Sequence, residues 1–258
     1  FKNRKSLNLI DQKKTYEYLN RIKPDFVIIA AAKVGGILAN SKQKAEFIYE
    51  NIMIQTNLIH SSYLVGVKKL LFLGSSCIYP KYSKQPISES SLLSGKLEET
   101  NDAYAIAKIA GVKMCEADNY DLMKSHFFPA LISKIYKAEN RKLKNIHIWG
   151  DGTQKRELMY VDDVAEACEF FLKKKTKHSL INIGSGDERT ILSYCKFISK
   201  ELKTKINIKF DKKKPNGTPR KKLNLNLSKK YGWHAKTKLK LGFNLTYKSF
   251  INNINSKK

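Results

Sequence analysis

The sequence predicts an α/β fold built on a doubly wound parallel sheet, and three observations carry that expectation. Two short, unbroken apolar runs, residues 26–32 (Phe26 to Ala32) and residues 70–73 (Leu70 to Leu73), have the composition of strands buried on both faces of a parallel sheet. Each run ends in small residues, Gly35-Gly36 in one case and Gly74-Ser75-Ser76 in the other. Between the runs the apolar residues change to helical spacing, and a strand, a helix and a second strand in that order make a right-handed crossover between parallel strands.

The elements follow in chain order. A polar stretch closed by Pro24 precedes the first strand. From Ala45 to about Leu64, Phe47, Ile48, Ile52, Ile54, Leu58 and Ile59 recur over several turns, which predicts a long helix with a broad apolar buried face. A further helix is expected from Asp102 or Ala103 to Glu116. The second half is less regular: strands over residues 146–149 and 180–183, helices over residues 162–172 and 190–202, and a Lys-rich segment over residues 212–222 around Pro215 and Pro219. There is no internal repeat. Two elements expected of a dinucleotide-binding sheet are not found: a strand and glycine-rich turn before Phe26, and a buried strand after the helix that ends near Asp118.

At 258 residues the chain is long enough to bury a substantial core. Its 49 Lys and Arg against 23 Asp and Glu give a formal charge of +26, spread among Asn and Ile instead of gathered in a block. Without a recognised module or an interleaved aromatic motif, that charge predicts a solvated basic surface and no specific nucleic-acid partner. Cys77, Cys115, Cys168 and Cys195 lie far apart with no CxxC pair, which argues against a zinc site or a disulfide framework and for a reducing cytoplasm. No apolar run approaches the ~18 residues of a membrane span, so no membrane partner is expected.

The chemistry concentrates after the second strand. Tyr104 and Lys108 are four residues apart, one above the other on a helix face, and an ammonium close to a phenol favours the phenolate, lowering the Tyr pKa. Ser75, some thirty positions upstream at a strand end, can join them in holding a ketone oxygen while a hydride reaches its carbon. In an open parallel sheet, ligands bind beyond the carboxyl ends of the strands, where Ser75 lies.

The segments Ala30 to Ile37, Leu71 to Lys81 and Tyr104 to Gly111 resemble the GDP-L-fucose synthase family, the GDP-4-keto-6-deoxy-mannose 3,5-epimerase-4-reductases among the extended short-chain dehydrogenase/reductases. The likeness resumes at residues 125–131, 149–157, 161–164, 182–186 and 215–221. It implies a Rossmann-like doubly wound sheet with a smaller C-terminal substrate-binding lobe: an NADP-binding domain over residues 1–124 and a mainly sugar-nucleotide-binding lobe over residues 125–258, with some segments returning to the sheet. Set against the family, a first strand with its phosphate-binding turn is expected before Phe1, and a strand and loop between Asn119 and Tyr120.

The resemblance implies roles residue by residue. Ser75 would polarise the substrate ketone, Tyr104 protonate the oxygen, and Lys108 lower the Tyr pKa and hold the nicotinamide ribose, while Cys77 and His126 would exchange protons at C3 and C5 of the sugar. NADP(H) would be held by Lys2, Arg4, Leu7, Leu73, Gly74, Ser75, Ser76, Lys108 and His126, with Lys2 and Arg4 at the 2′-phosphate. Lys134, Trp149, Arg156 and Asn216 would bind the sugar nucleotide. Lys134 and Asn216 depart from the Arg and Asp usual in the family, which opens a second reading: a C4 reductase of another GDP-4-keto sugar, such as a GDP-heptose, with or without epimerase activity. A catalytically silent NADP-binding regulator is a third, opposed by the presence of both Tyr104 and Lys108. A homodimer paired through the residue 45–64 helix and the Tyr104 helix is also expected.

Overall fold

The computed structural model describes residues 6–118, 127–141, 143–213 and 218–255. In chain order these form α1 (Gln12–Ile22), β1 (Phe26–Ile29), α2 (Ile37–Lys42), α3 (Lys44–Leu64), β2 (Lys69–Phe72), α4 (Asp102–Asp118), α5 (Phe127–Asn140), β3 (Asn145–Trp149), β4 (Lys155–Glu157), α6 (Val161–Lys173), β5 (Glu188–Thr190), α7 (Ile191–Glu201), β6 (Asn207–Asp211), β7 (Arg220–Lys221), α8 (Asn226–Lys230) and α9 (Leu239–Asn255). The Asp11 carboxylate accepts the Lys14 N–H at the start of α1, and Lys23 turns left-handed (φ 38°) to end that helix before Pro24.

β1 and β2 pair in parallel, Phe26 opposite Lys69 and Ile29 opposite Phe72. Side chains alternate along a strand, and β2 uses both faces. Leu70 and Phe72 pack with Ile29, Ile59, Ile109, Val112 and Cys115 on the side of α3 and α4. Leu71 and Leu73 pack on the other side with Ala167, Cys168 and Phe171 of α6 and with Ile181, Ile183 and Trp233. Helices on both faces of parallel strands are the doubly wound arrangement. The Lys69 ammonium fixes α6 in this layer by donating to the carbonyls of Phe171, Leu172 and Lys174 at 2.7–2.9 Å, capping a helix C-terminus with a cation. A separate core gathers Leu131, Ile132 and Ile135 of α5, Ile146 of β3, Tyr194 and Ile198 of α7, and Phe243 of α9. Beside it β3 and β6 run parallel, and β5-β4-β7 form a small mixed sheet.

Three expectations are corrected. β1 stops at Ile29, so residues 30–32 lie outside the strand, and it is not buried on both faces: Ile29 is interior, but Phe26 and Ile28 are exposed. Residues 180–183, buried beside β2 from Ile181 onward, form no ladder: the Asn182 N–H donates to the Glu89 carboxylate at 2.7 Å, taking a strand donor away from the sheet. The buried side of α3 is less apolar than its spacing implies. Phe47 and Ile59 are buried, but Ile48, Ile52, Ile54 and Leu58 are only half-buried, whereas Asn51, Gln55 and Asn57 are interior. The amide nitrogens and the Asn51 oxygen pair with backbone, Asn51 with Lys33 and Phe47, Gln55 with the Ala107 carbonyl, and Asn57 with the carbonyls of Leu9 and Ile10, while the Gln55 oxygen has no partner among the described residues. Gly111 lets α4 approach closely, since a Cβ there would stand 2.4 Å from the Phe72 ring and 2.9 Å from Gln55.

Candidate active site

The carboxyl end of β2 leads into Leu73, Gly74 and Ser75, all buried, and then a single helical turn over Ser76–Ile78. Ser75 caps that turn, its hydroxyl accepting the Cys77 N–H at 3.2 Å. This local bond fixes Ser75 and Cys77 relative to each other. Helix α4 supplies the remaining reactive groups. Tyr104 is buried, and its hydroxyl makes no hydrogen bond among the described residues. Lys108, 1% exposed, donates to the Leu73 carbonyl at 2.9 Å, with its ammonium 4.4 Å from the centre of the Phe72 ring.

The electrostatics separate the two acids of the site. Burial pushes the Tyr104 phenol up, the neighbouring Cys77 adds to the rise, and Ser75 draws it partly back although no hydrogen bond closes between the hydroxyls. Lys108 contributes no lowering here; desolvation dominates, and the phenol stays protonated at neutral pH. Cys77 moves the other way. Burial alone would raise its thiol, but the Lys221 charge, the nearby Ser75 hydroxyl, the hydrogen bond from Lys221 and the Arg156 charge outweigh that and bring it below the usual thiol range. Lys221 donates to the sulfur at 3.2 Å and the Asn101 amide at 3.3 Å.

Arg156 reaches this group from β4, anchored by donating to the Lys155 carbonyl at 2.7 Å. Lys134 belongs to a different neighbourhood: exposed on α5, it donates to the His147 carbonyl of β3 at 3.2 Å. Trp149, 37% exposed, closes the same strand. Leu7 is half-buried ahead of α1, and Ser76 half-buried after β2. Lys2, Arg4, His126 and Asn216 lie outside the described residues, as do the two junctions where further segments are expected.

The structure thus gathers Ser75, Cys77, Tyr104, Lys108 and Arg156, and it adds Asn101, Glu98 and Lys221, which sequence reasoning did not single out. Glu98 is buried and holds Lys81 at 3.2 Å and the Thr218 hydroxyl at 3.3 Å, tying the start of α4 to the segment before β7. Asn101 stands three residues before Tyr104, a spacing that could have flagged it. Nothing local marks Lys221, which is 144 positions from Cys77.

Residues 2–122 and 117–184 match the model of the NAD dependent epimerase/dehydratase family. The GDP-L-fucose synthase of Sinorhizobium fredii is 44% identical over 97% of this chain and 87% of its own. The chain belongs to the NAD dependent epimerase/dehydratase family. GDP-L-fucose synthase 1 of Arabidopsis thaliana is 42% identical over 96% of this chain and 83% of its own. Among solved structures, MlghC, the GDP-mannoheptose C4 reductase from Campylobacter jejuni with NADP bound, is 29% identical with a TM-score of 0.86, covering 96% of this chain and 88% of its own. The fold is accordingly Rossmann-like, as expected.

Proposed function

We propose that this chain is an NADPH-dependent enzyme that epimerises C3 and C5 of GDP-4-keto-6-deoxy-mannose and reduces its C4 ketone, giving GDP-L-fucose. The observation that carries the reading is the convergence at the end of β2 of two hydroxyls, Ser75 and Tyr104, with a thiol at Cys77 held by cations. Similarity to the Sinorhizobium fredii and Arabidopsis thaliana enzymes supports the choice of sugar.

The residues present fit the nicotinamide end of a dinucleotide. Tyr104 carries a buried hydroxyl without a hydrogen-bond partner among the described residues, and Lys108, one turn further along α4, donates to the Leu73 carbonyl at the strand end. Lys108, Leu7, Leu73, Gly74, Ser75 and Ser76, with Lys2, Arg4 and His126, are the residues that would hold NADPH. When bound, NADPH supplies the hydride for C4. Ser75 orients the ketone oxygen, and Tyr104, kept protonated by burial, gives that oxygen its proton. In epimerisation the Cys77 thiolate removes a proton from a carbon next to the ketone, the charge passes to the C4 oxygen, and Ser75 and Tyr104 stabilise it by hydrogen bonds. His126 returns a proton to the opposite face, so each inversion leaves the proton count unchanged. Lys134, Trp149, Arg156 and Asn216 are assigned to the sugar nucleotide, the guanidinium of Arg156 suiting a diphosphate.

A second reading, reduction at C4 of a GDP-heptose, is favoured by Lys134 and Asn216 and by similarity to MlghC. NADPH oxidation measured against a panel of GDP-4-keto sugars separates the two. The 6-deoxyhexose is expected to turn over fastest, and a preference for a heptose would overturn the first reading.

The exposed sides of α3 and α4 carry Tyr49 (57% exposed), Tyr63 and Ile106 (47% exposed), apolar surface suited to a two-fold partner. The proposed homodimer gives twice the chain mass by light scattering at micromolar concentration, and a monomer would refute it. None of the four cysteines forms a disulfide, in keeping with a cytoplasmic location. Among the described residues no helix is long and apolar enough to cross a membrane.

A further inference from the structure

The small β5-β4-β7 sheet distributes charge by register. β4 and β7 run parallel with Lys155 opposite Arg220 and Arg156 opposite Lys221, and register partners emerge on the same face. Arg220 therefore turns with Lys155 to one face, where it grips the Glu188 carboxylate through Nε at 2.9 Å. Lys221 turns with Arg156 to the other face, and this is the face that meets Cys77. A two-residue strand thus sends one cation to a carboxylate and the next to a thiol. The two contacts on the sulfur come from opposite directions in the chain: Lys221 Nζ at 3.2 Å from β7, and Asn101 Nδ2 at 3.3 Å from the residue preceding α4.

We infer that Lys221 is a positioning residue for proton transfer: its ammonium, assisted by the Asn101 amide, holds Cys77 as the thiolate. The inference rests on Cys77 acting as the base proposed above. A thiolate is the form that can take a proton, and a half-buried sulfur needs a compensating charge to remain one. The groups facing it are Lys221 from β7, Arg156 from β4, Tyr104 from α4, and the uncharged Ser75 and Asn101. The carboxylates that act on Arg156 are Glu98 and Glu188, and both are engaged elsewhere, Glu98 with Lys81 and Glu188 with Arg220. Of the two cations, Lys221 contacts the sulfur directly, while Arg156 donates to the Lys155 carbonyl. Lys221 acts through Cys77 and needs no contact with the sugar.

The test reads the sulfur itself. Cys115, Cys168 and Cys195 are buried and Cys77 is half-buried, so iodoacetamide labels Cys77 selectively in the folded full-length chain, with the labelled peptide identified by mass spectrometry. The pH midpoint of the alkylation rate is expected below the free-thiol value of ~8.5 in wild type. In K221Q, which keeps a donor but loses the charge, it should rise by about one unit or more. K221R should return most of the shift, a rescue that a purely structural role would not give. K221M supplies the same reading should K221Q fold poorly by circular dichroism. Superimposable profiles for wild type and the uncharged variants would overturn the inference. Solvent deuterium entry at C3 and C5 in K221Q should fall about tenfold at pH 7, following the thiolate fraction. An alkylation shift with undiminished deuterium entry would overturn the role in proton transfer. Absent deuterium entry in wild type would instead sink the epimerase reading, leaving alkylation to decide the Lys221 contact by itself.

Discussion

Tyr104→Phe should make the unliganded protein more stable while nearly abolishing its reduction chemistry. The phenol oxygen is buried and makes no hydrogen bond among the described residues, and a buried polar group left unsatisfied costs on the order of 1–3 kcal/mol. Phenylalanine keeps the ring that packs at the start of α4 and removes only that oxygen. Taking the lower end, because Ser75 is close enough to interact weakly, the gain is about 1 kcal/mol, or roughly 2–4 °C in Tm for a chain of this size. Thermal unfolding followed by circular dichroism without ligand measures it. NADPH oxidation at saturating substrate should fall by a factor on the order of 10² or more, since the assigned proton donor to the C4 oxygen is lost. A Tm lowered by a similar amount would mean that the hydroxyl is bonded within the fold. Normal turnover would remove Tyr104 as the acid.

Gly111→Ala should destabilise the chain by about 1–2 kcal/mol in thermal unfolding, overpacking against Phe72 and Gln55 exceeding the ~1 kcal/mol gained in helix propensity. Because the Lys108 ammonium sits over the displaced Phe72 ring, the NADPH dissociation constant of the same variant should rise several-fold. The two half-reactions should also differ in pH dependence. Reduction needs Tyr104 protonated, and with its pKa raised the rate should show no alkaline decline from this group below about pH 10. Epimerisation needs Cys77 deprotonated, and with its pKa lowered the exchange rate should reach its plateau below the free-thiol range. Stopped-flow reduction and deuterium exchange measured across pH check both signs.

β2 was legible because burial on both faces leaves an uninterrupted apolar run, as its Leu70/Phe72 and Leu71/Leu73 faces show, whereas β1 has the same composition with Phe26 and Ile28 exposed. The start of α7 was legible at Thr190, whose hydroxyl accepts the Ser193 N–H. Residues 180–183 have strand composition but no ladder, because a side chain from Glu89, far off in sequence, takes the Asn182 donor. Helix α3 hid interior amides behind apolar spacing, since what they pair with is backbone from other elements. At the site, spacing alone could bring Tyr104 and Lys108 together, and the turn after β2 could bring Ser75 and Cys77. Lys221 was beyond reach, because its contact exists only through the β4–β7 register. The sign of the Tyr104 shift was also missed, as a sequence shows the Lys108 spacing but not the desolvation that raises the phenol.

The most direct measurement is the reaction of wild-type protein with GDP-4-keto-6-deoxy-mannose and NADPH in deuterated water, with the product analysed by NMR. If Cys77, Ser75 and Tyr104 form one site serving both steps, the product is GDP-L-fucose carrying solvent deuterium at C3 and C5 and none at C4. Cys77→Ser should lose that deuterium while still reducing a ketone supplied already epimerised. Reduction at C4 in wild type without deuterium at C3 and C5 would contradict the shared site and leave a reductase alone.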